Sequence, residues 1–143
     1  MTLRRFIDAQ DRIWPSPVKE LRAGRKQTHW MWFVFPQLRG LGRSEMAQFY
    51  GIADLAEARA YLADPVLGTR IEEAFRAMLM NDDAQDVLGH VDALKLRSSA
   101  TLFGRAGSAA ADDIISRYYG SEDPETVRRI VISDCSTTAS IDT

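Results

Sequence analysis

The sequence predicts an all-α protein, a single compact domain of about seven to nine short helices rather than a regular bundle. Three observations carry that prediction. Capping residues and prolines punctuate the chain at short intervals, and apolar residues between them recur at helical spacing. Alternating strand patterns and Asn-Gly hairpin signals are absent.

Taken in order, the first stripe is Leu3, Phe6, Ile7, Gln10, Ile13 and Trp14, interrupted only by Gln10. Ser16-Pro17 then sets a capping hydroxyl before a proline, whose missing N–H costs nothing at a helix start. Gly24 follows as a left-handed stop. Thr28 offers a cap for a buried short helix that begins at His29 and ends or kinks near Phe35, before Pro36. Length and residue types there also suit a buried strand, but no second strand is available to pair with it. Ser44 caps a helix start at Glu45, and Gly51 reads as its stop.

Asp54 and Glu57 have capping-box spacing ahead of Leu55, Ala58, Tyr61 and Leu62. Asp64-Pro65 opens the cleanest stripe: Leu67, Ile71, Phe75, Met78 and Leu79. If the segment from Asp92 to Phe103 is helical, Lys95, Ser98, Ser99 and Leu102 share one face. Gly107 stops that helix, and Ile114, Ile115, Tyr118 and Tyr119 form the next stripe before Gly120. Asp123-Pro124 introduces Val127, Ile130 and Val131. The Ser- and Thr-rich tail, 133–143, has little to bury and is expected to fray, which leaves a domain of 3–132.

The totals bound the function. With 143 residues, 45% of them hydrophobic and 27% charged, the chain has ordinary globular values for one domain. Eighteen basic against 20 acidic residues give a net charge of −2, so no nucleic-acid polymer is expected as partner. No apolar run is long enough to cross a bilayer, so no membrane association is expected. The single Cys135 excludes an intramolecular disulfide, and the N-terminus lacks the apolar core of a secretory signal. Cytoplasmic residence is the expectation. With two distant histidines and one cysteine, neither a metal nor a cofactor is expected.

Candidate chemistry lies in two dense segments. In the first, Lys26 to Gly42, Trp30 and Trp32 stand in a six-residue apolar run bracketed by His29 and by Gln37, Arg39 and Gly40. His29 is the candidate acid or base, since imidazole exchanges protons near neutrality; its plain alternative is a core-edge histidine bonded to a carbonyl. Gly40 and Gly42 let backbone N–H groups approach an anion between Arg39 and Arg43, or simply make a turn with solvated arginines. In the second segment, Lys95 and Arg97 are anion clamps or exposed cations. Ser98 and Ser99 supply hydroxyls to a polar pocket, or mark a close helix crossing.

The motif Leu21-Arg22-Ala23-Gly24-Arg25-Lys26, followed by Thr28 to Gly42 and by Leu94-Lys95-Leu96-Arg97-Ser98-Ser99-Ala100-Thr101-Leu102-Phe103, resembles the bacterial family called domain of unknown function 1810. The resemblance runs from about Leu3 to Ile132 and implies a single, mostly helical, cytoplasmic domain. It brings no activity, cofactor or catalytic residue. Some members carry the label calpastatin, the name of a long repeat-containing inhibitor, whereas this chain is repeat-free.

The clustering of cations beside tryptophans points to an anionic small metabolite, nucleotide- or ADP-ribose-like, as partner. Its ligands would be Trp30, Gln37, Arg39, Lys95, Arg97, Ser98 and Ser99. The alternative is a non-catalytic protein-interaction module in which the aromatic motif is purely structural. The ligand reading requires the two dense segments to meet around a hollow.

Overall fold

In the computed structural model, which describes residues 3–132, helices carry the fold and strands are absent among the described residues. The helices are α1 (Arg4–Asp11), α2 (Ser16–Arg22), α3 (Met31–Val34), α4 (Glu45–Phe49) and α5 (Leu55–Ala63). They continue with α6 (Leu67–Met78), α7 (Ala84–Leu88), α8 (His90–Ala106), α9 (Ala109–Tyr118) and α10 (124–132). The all-α prediction holds, with one helix more than the expected range. The tail expectation falls on 133–143, outside the described residues.

Capping chemistry sets many of the helix starts. Asp54 accepts from Glu57 N at 2.8 Å, Ser44 Oγ from Ala47 N at 3.1 Å, and Asp64 from Leu67 N at 3.0 Å. Asp123 accepts from Thr126 N at 3.1 Å ahead of α10. Ser16 is different: α2 already includes it, Pro15 stands at the cap, and no side chain caps the start. Gly24, Gly107 and Gly120 have φ of +84°, +119° and +77°, the left-handed geometry of helix stops.

Gly51 does not adopt that geometry and serves another purpose. A Cβ there would stand 2.7 Å from Arg39 Cα, so its bareness lets two backbone segments lie side by side. Arg39 N donates to Ile52 O at 2.8 Å and Ile52 N to Gln37 O at 2.9 Å, an isolated parallel bridge that fixes the loop after Pro36.

The core is threaded by aromatic rings. Trp30 meets Phe35 at 6.0 Å between centroids, Phe35 meets Phe75 at 5.1 Å, and Phe75 meets Phe103 at 6.5 Å. Phe103 continues to Tyr61 and Tyr61 to Phe6, each at 5.1 Å. Such pairs each contribute about 0.5–1.5 kcal/mol beyond area burial and here join α1, α5, α6 and α8 to the two residues that flank α3. Gln10, the interruption in the first stripe, is fully enclosed and gives Nε2 to Phe33 O at 2.7 Å and to Tyr61 Oη at 3.0 Å. One buried amide therefore ties α1, α3 and α5 together. The Tyr61 hydroxyl is held protonated, because burial pushes its pKa well above the ordinary value. α8 lies at the centre, packed on α5, α7 and α9.

The tryptophan segment is helical and buried, but α3 begins two residues later than the Thr28 cap predicts. Thr28 Oγ1 donates to Glu20 Oε2 at 2.7 Å instead, and Trp30 stands at the N-cap with no side-chain capping bond. A carboxylate from α2 has taken the threonine hydroxyl.

Candidate functional site

Glu20 organises the entry to the aromatic motif. Its Oε1 accepts from Gln27 N at 2.6 Å, Thr28 N at 3.0 Å and Trp30 Nε1 at 3.1 Å, while Thr28 Oγ1 takes Oε2. Burial alone would raise its pKa, but the Thr28, Gln27 and Trp30 donors together hold it below the ordinary value. These bonds fix residues 27–30 and steer the Trp30 indole into the core, where it is 1% exposed.

The next layer is ionic. Lys26 Nζ meets Asp92 Oδ2 at 3.1 Å and lies 5.3 Å from the Trp30 ring centroid. Lys95 Nζ meets the other oxygen of Asp92 at 3.7 Å and stands 5.8 Å from the Trp32 ring centroid. Asp92 is therefore shared between two ammonium groups and leaves one positive charge over. The shorter contact belongs to Lys26, so the uncompensated charge sits chiefly at Lys95, above Trp32.

Beside Lys95 lies a cavity of about 340 Å³ lined by Gln37, Leu41, Gly42, Val91, Leu94, Lys95, Ser98, Asp123 and Glu125. The loop after Pro36 forms one wall, α8 the other, and the start of α10 closes an end. Ser98 Oγ donates to Asp123 Oδ2 at 3.2 Å. Thr101 Oγ1 donates to Arg97 O at 2.8 Å and accepts from Asp123 N at 2.9 Å. Hydroxyls that weaken α8 as a helix are spent on docking the α10 start against it. The Gln37 amide group has no hydrogen bond to any described residue, which leaves both its donor and its acceptor for the cavity.

The structure thus brings the two dense segments together at Lys95 and Trp32, and sets Gln37, Lys95 and Ser98 around one hollow. The remaining candidates lie elsewhere. Trp30 and Ser99 are in the core, the latter with a buried hydroxyl that finds no partner among the described residues, and neither lines the cavity at Lys95. Ser99 and Ala100 fit the close-crossing reading instead.

Arg97 clamps the loop before α10: Nε donates to Ser121 O at 3.1 Å, and Nη2 to Ser121 Oγ at 2.9 Å and Glu122 O at 3.0 Å. Arg39 gives Nε to Gln48 O at 3.2 Å and Nη2 to Gly51 O at 3.0 Å, and lines a different cavity. His29 is exposed, has no hydrogen-bond partner among the described residues and does not line the cavity at Lys95. Among the described residues no group holds either of its ring nitrogens in the orientation that acid–base catalysis commonly uses.

Sequence reasoning missed Glu20, Leu41, Val91, Leu94 and Glu125, and gave Asp123 only its capping role. The signal for Asp92 was legible: it lies three residues before Lys95, at ion-pair spacing on a helix.

Among the described residues no helix is long and apolar enough to cross a membrane, and no cluster of three or more His, Cys, Asp or Glu side chains is placed to hold a metal ion.

Fold and site together define a small helical domain with a mixed-charge cavity against its central helix. The chain belongs to the family described as Protein of unknown function (DUF1810), which it matches over residues 1–130. It is similar to the crystal structure of the conserved hypothetical protein Rv1873 from Mycobacterium tuberculosis. The two share 47% identity and a TM-score of 0.84 over 90% of this chain and 96% of that one. No curated protein matches it significantly.

Proposed function

We propose that this protein binds a small anionic metabolite of mononucleotide size in the cavity between the loop after Pro36 and α8. One observation carries the reading: Gln37, from one dense segment, lines a single cavity with Lys95 and Ser98 of the other, and the only lining cation is Lys95. That ammonium group is held over Trp32 and is only partly neutralised by Asp92, so an anionic group arriving there gains a charge-assisted bond. Leu41, Val91 and Leu94 supply an apolar wall for a flat ring, and the free Gln37 amide suits the polar edge of a base. The carboxylates of Asp123 and Glu125 accept from donors such as sugar hydroxyls. At about 340 Å³ the cavity is at the small end of ligand pockets, which favours a mononucleotide over a ligand the size of ADP-ribose.

The reading is one of binding. His29 stands outside the cavity, and the hydroxyl–carboxylate pair in its lining, Ser98 with Asp123, is engaged in docking the start of α10.

Calorimetric titration of the full chain with AMP, GMP, ADP-ribose and inorganic phosphate tests it. At least one mononucleotide binds, and Lys95→Met weakens it about tenfold or more while Arg97→Gln does not. A folded protein that takes none of them, or a Lys95→Met variant that binds unchanged, contradicts the reading.

A specific feature supports the second reading, a protein-docking module. Val91 and Leu94 are 62% and 53% exposed on adjacent turns of α8, at the rim of the same cavity. On that reading Val91→Ser with Leu94→Ser abolishes partner capture while Lys95→Met leaves it intact.

A further inference from the structure

A second cavity, of about 310 Å³, opens on the other side of the same loop, lined by Leu38, Arg39, Ala53, Asp54, Leu55, Arg128, Arg129, Ile130 and Ile132. We infer that it binds an amphiphilic organic anion, a phosphate monoester or carboxylate carrying a short apolar body.

Three arginines line it, each with its guanidinium already held on one side. Arg39 is fixed by the carbonyls of Gln48 and Gly51. Arg128 grips Glu125 through Nε at 3.0 Å and through Nη2, and Arg129 Nε meets the same carboxylate at 3.1 Å. A single carboxylate shared by two guanidiniums leaves one of their charges uncompensated. Asp54, the one carboxylate lining the cavity, is engaged in capping α5 through Glu57 N. Three cations therefore stand against Glu125 and Asp54, a local excess of one positive charge in a chain whose net charge is −2. Guanidiniums fixed on one edge lose little entropy when the other edge takes an oxyanion.

The opposite wall is apolar. Leu38 and Ile130 are buried, and Leu55 and Ile132 extend the surface outward, with Ile132 half exposed. Gly40 makes the arrangement possible. A Cβ there would stand 2.9 Å from Arg129 Nη1, and the residue has φ of +101°, so a bare left-handed residue seats Arg129 on the loop. The Gly40 that the sequence reads as an anion-binding turn thus acts through a side chain from α10. The loop from Gln37 to Gly42 separates two unlike cavities, one with a lysine and carboxylates, the other with arginines and aliphatics.

Calorimetric titration of the full chain with hexyl phosphate, hexanol and hexylammonium tests this site. Hexyl phosphate binds in the micromolar to millimolar range, and hexanol and hexylammonium bind at least about tenfold more weakly. Arg129→Gln, which leaves Arg128 on Glu125, weakens hexyl phosphate about tenfold. Ile132→Ser, at an exposed position that does not threaten folding, weakens it about threefold or more. Lys95→Met leaves it unchanged, which separates this site from the cavity at Lys95. The inference is overturned if folded protein does not take up hexyl phosphate, if hexanol binds equally well, or if Lys95→Met rather than Arg129→Gln removes the binding.

Discussion

From Thr28 to Phe35 the aromatic motif turns inward, and from Gln37 to Gly42 it turns outward. In the first half, Trp30, Phe33, Val34 and Phe35 are core, and Glu20 ties up the Thr28 and Trp30 donors before solvent can. In the second half, Gln37, Leu41 and Gly42 line one cavity while Leu38 and Arg39 line another. The crossover falls at Pro36, between the end of α3 at Val34 and the bridge from Leu38 to Ile52. A motif dense in aromatic residues is thus two things in succession: an anchor, then a wall. Within the anchor half Thr28 and His29 are exposed, and Trp32 is only partly buried and stands under Lys95.

That contrast is easiest to break at the tryptophans. Trp30→Ala costs about 3–5 kcal/mol by urea unfolding, because it empties a fully enclosed site in the ring series. Trp32→Ala costs less, about 1–2 kcal/mol, since Trp32 is only partly buried. Equal costs would erase the distinction between anchor and wall.

Glu20→Ala comes next, at about 2–3 kcal/mol, because the buried Trp30 Nε1 loses its acceptor. The same residue gives the anchor a pH signature. Its folded pKa lies below its ordinary value of 4.5. Its contribution is therefore complete above the unfolded value and lost as pH falls through the folded one. Wild type loses stability relative to Glu20→Gln on acidification below about pH 4.5, and no such difference opens between about pH 6 and 8. A difference that grows toward neutral pH would contradict the bonding described.

The smallest effects separate the two serines of α8. Ser99→Ala removes an unpaired buried hydroxyl and raises stability by up to about 1 kcal/mol. Ser98→Ala removes a bond to Asp123 and lowers stability by about 0.5–1 kcal/mol. The opposite order would mean that Ser99, not Ser98, faces the polar cavity.

These neighbours also show where the sequence stops being legible. Helix starts and stops are written in short-range chemistry, and Asp54, Asp64, Asp123, Gly24 and Gly107 act as their local spacing implies. The faces of a central helix are not local. Lys95, Ser98, Ser99 and Leu102 share a face by periodicity, yet α8 is packed on several sides. Lys95 and Ser98 border a cavity, while Ser99 and Leu102 are sealed in the core. Thr28 failed as a cap because its partner, Glu20, comes from another helix. Arg39 and Arg97 were legible as cations but not as clamps, because the carbonyls they hold belong to other turns. In each case a tertiary partner outbid the nearest one.

We take the loop after Pro36 and α8 to border a ligand site. Its most direct test is an amide-resolved NMR titration of the full chain with AMP. Shifts are predicted to saturate together at Gln37, Leu41, Gly42, Leu94, Lys95 and Ser98, with those around Phe75 and Ala110 unmoved. Absence of saturable shifts at those six amides, or shifts concentrated elsewhere in the protein, would contradict it.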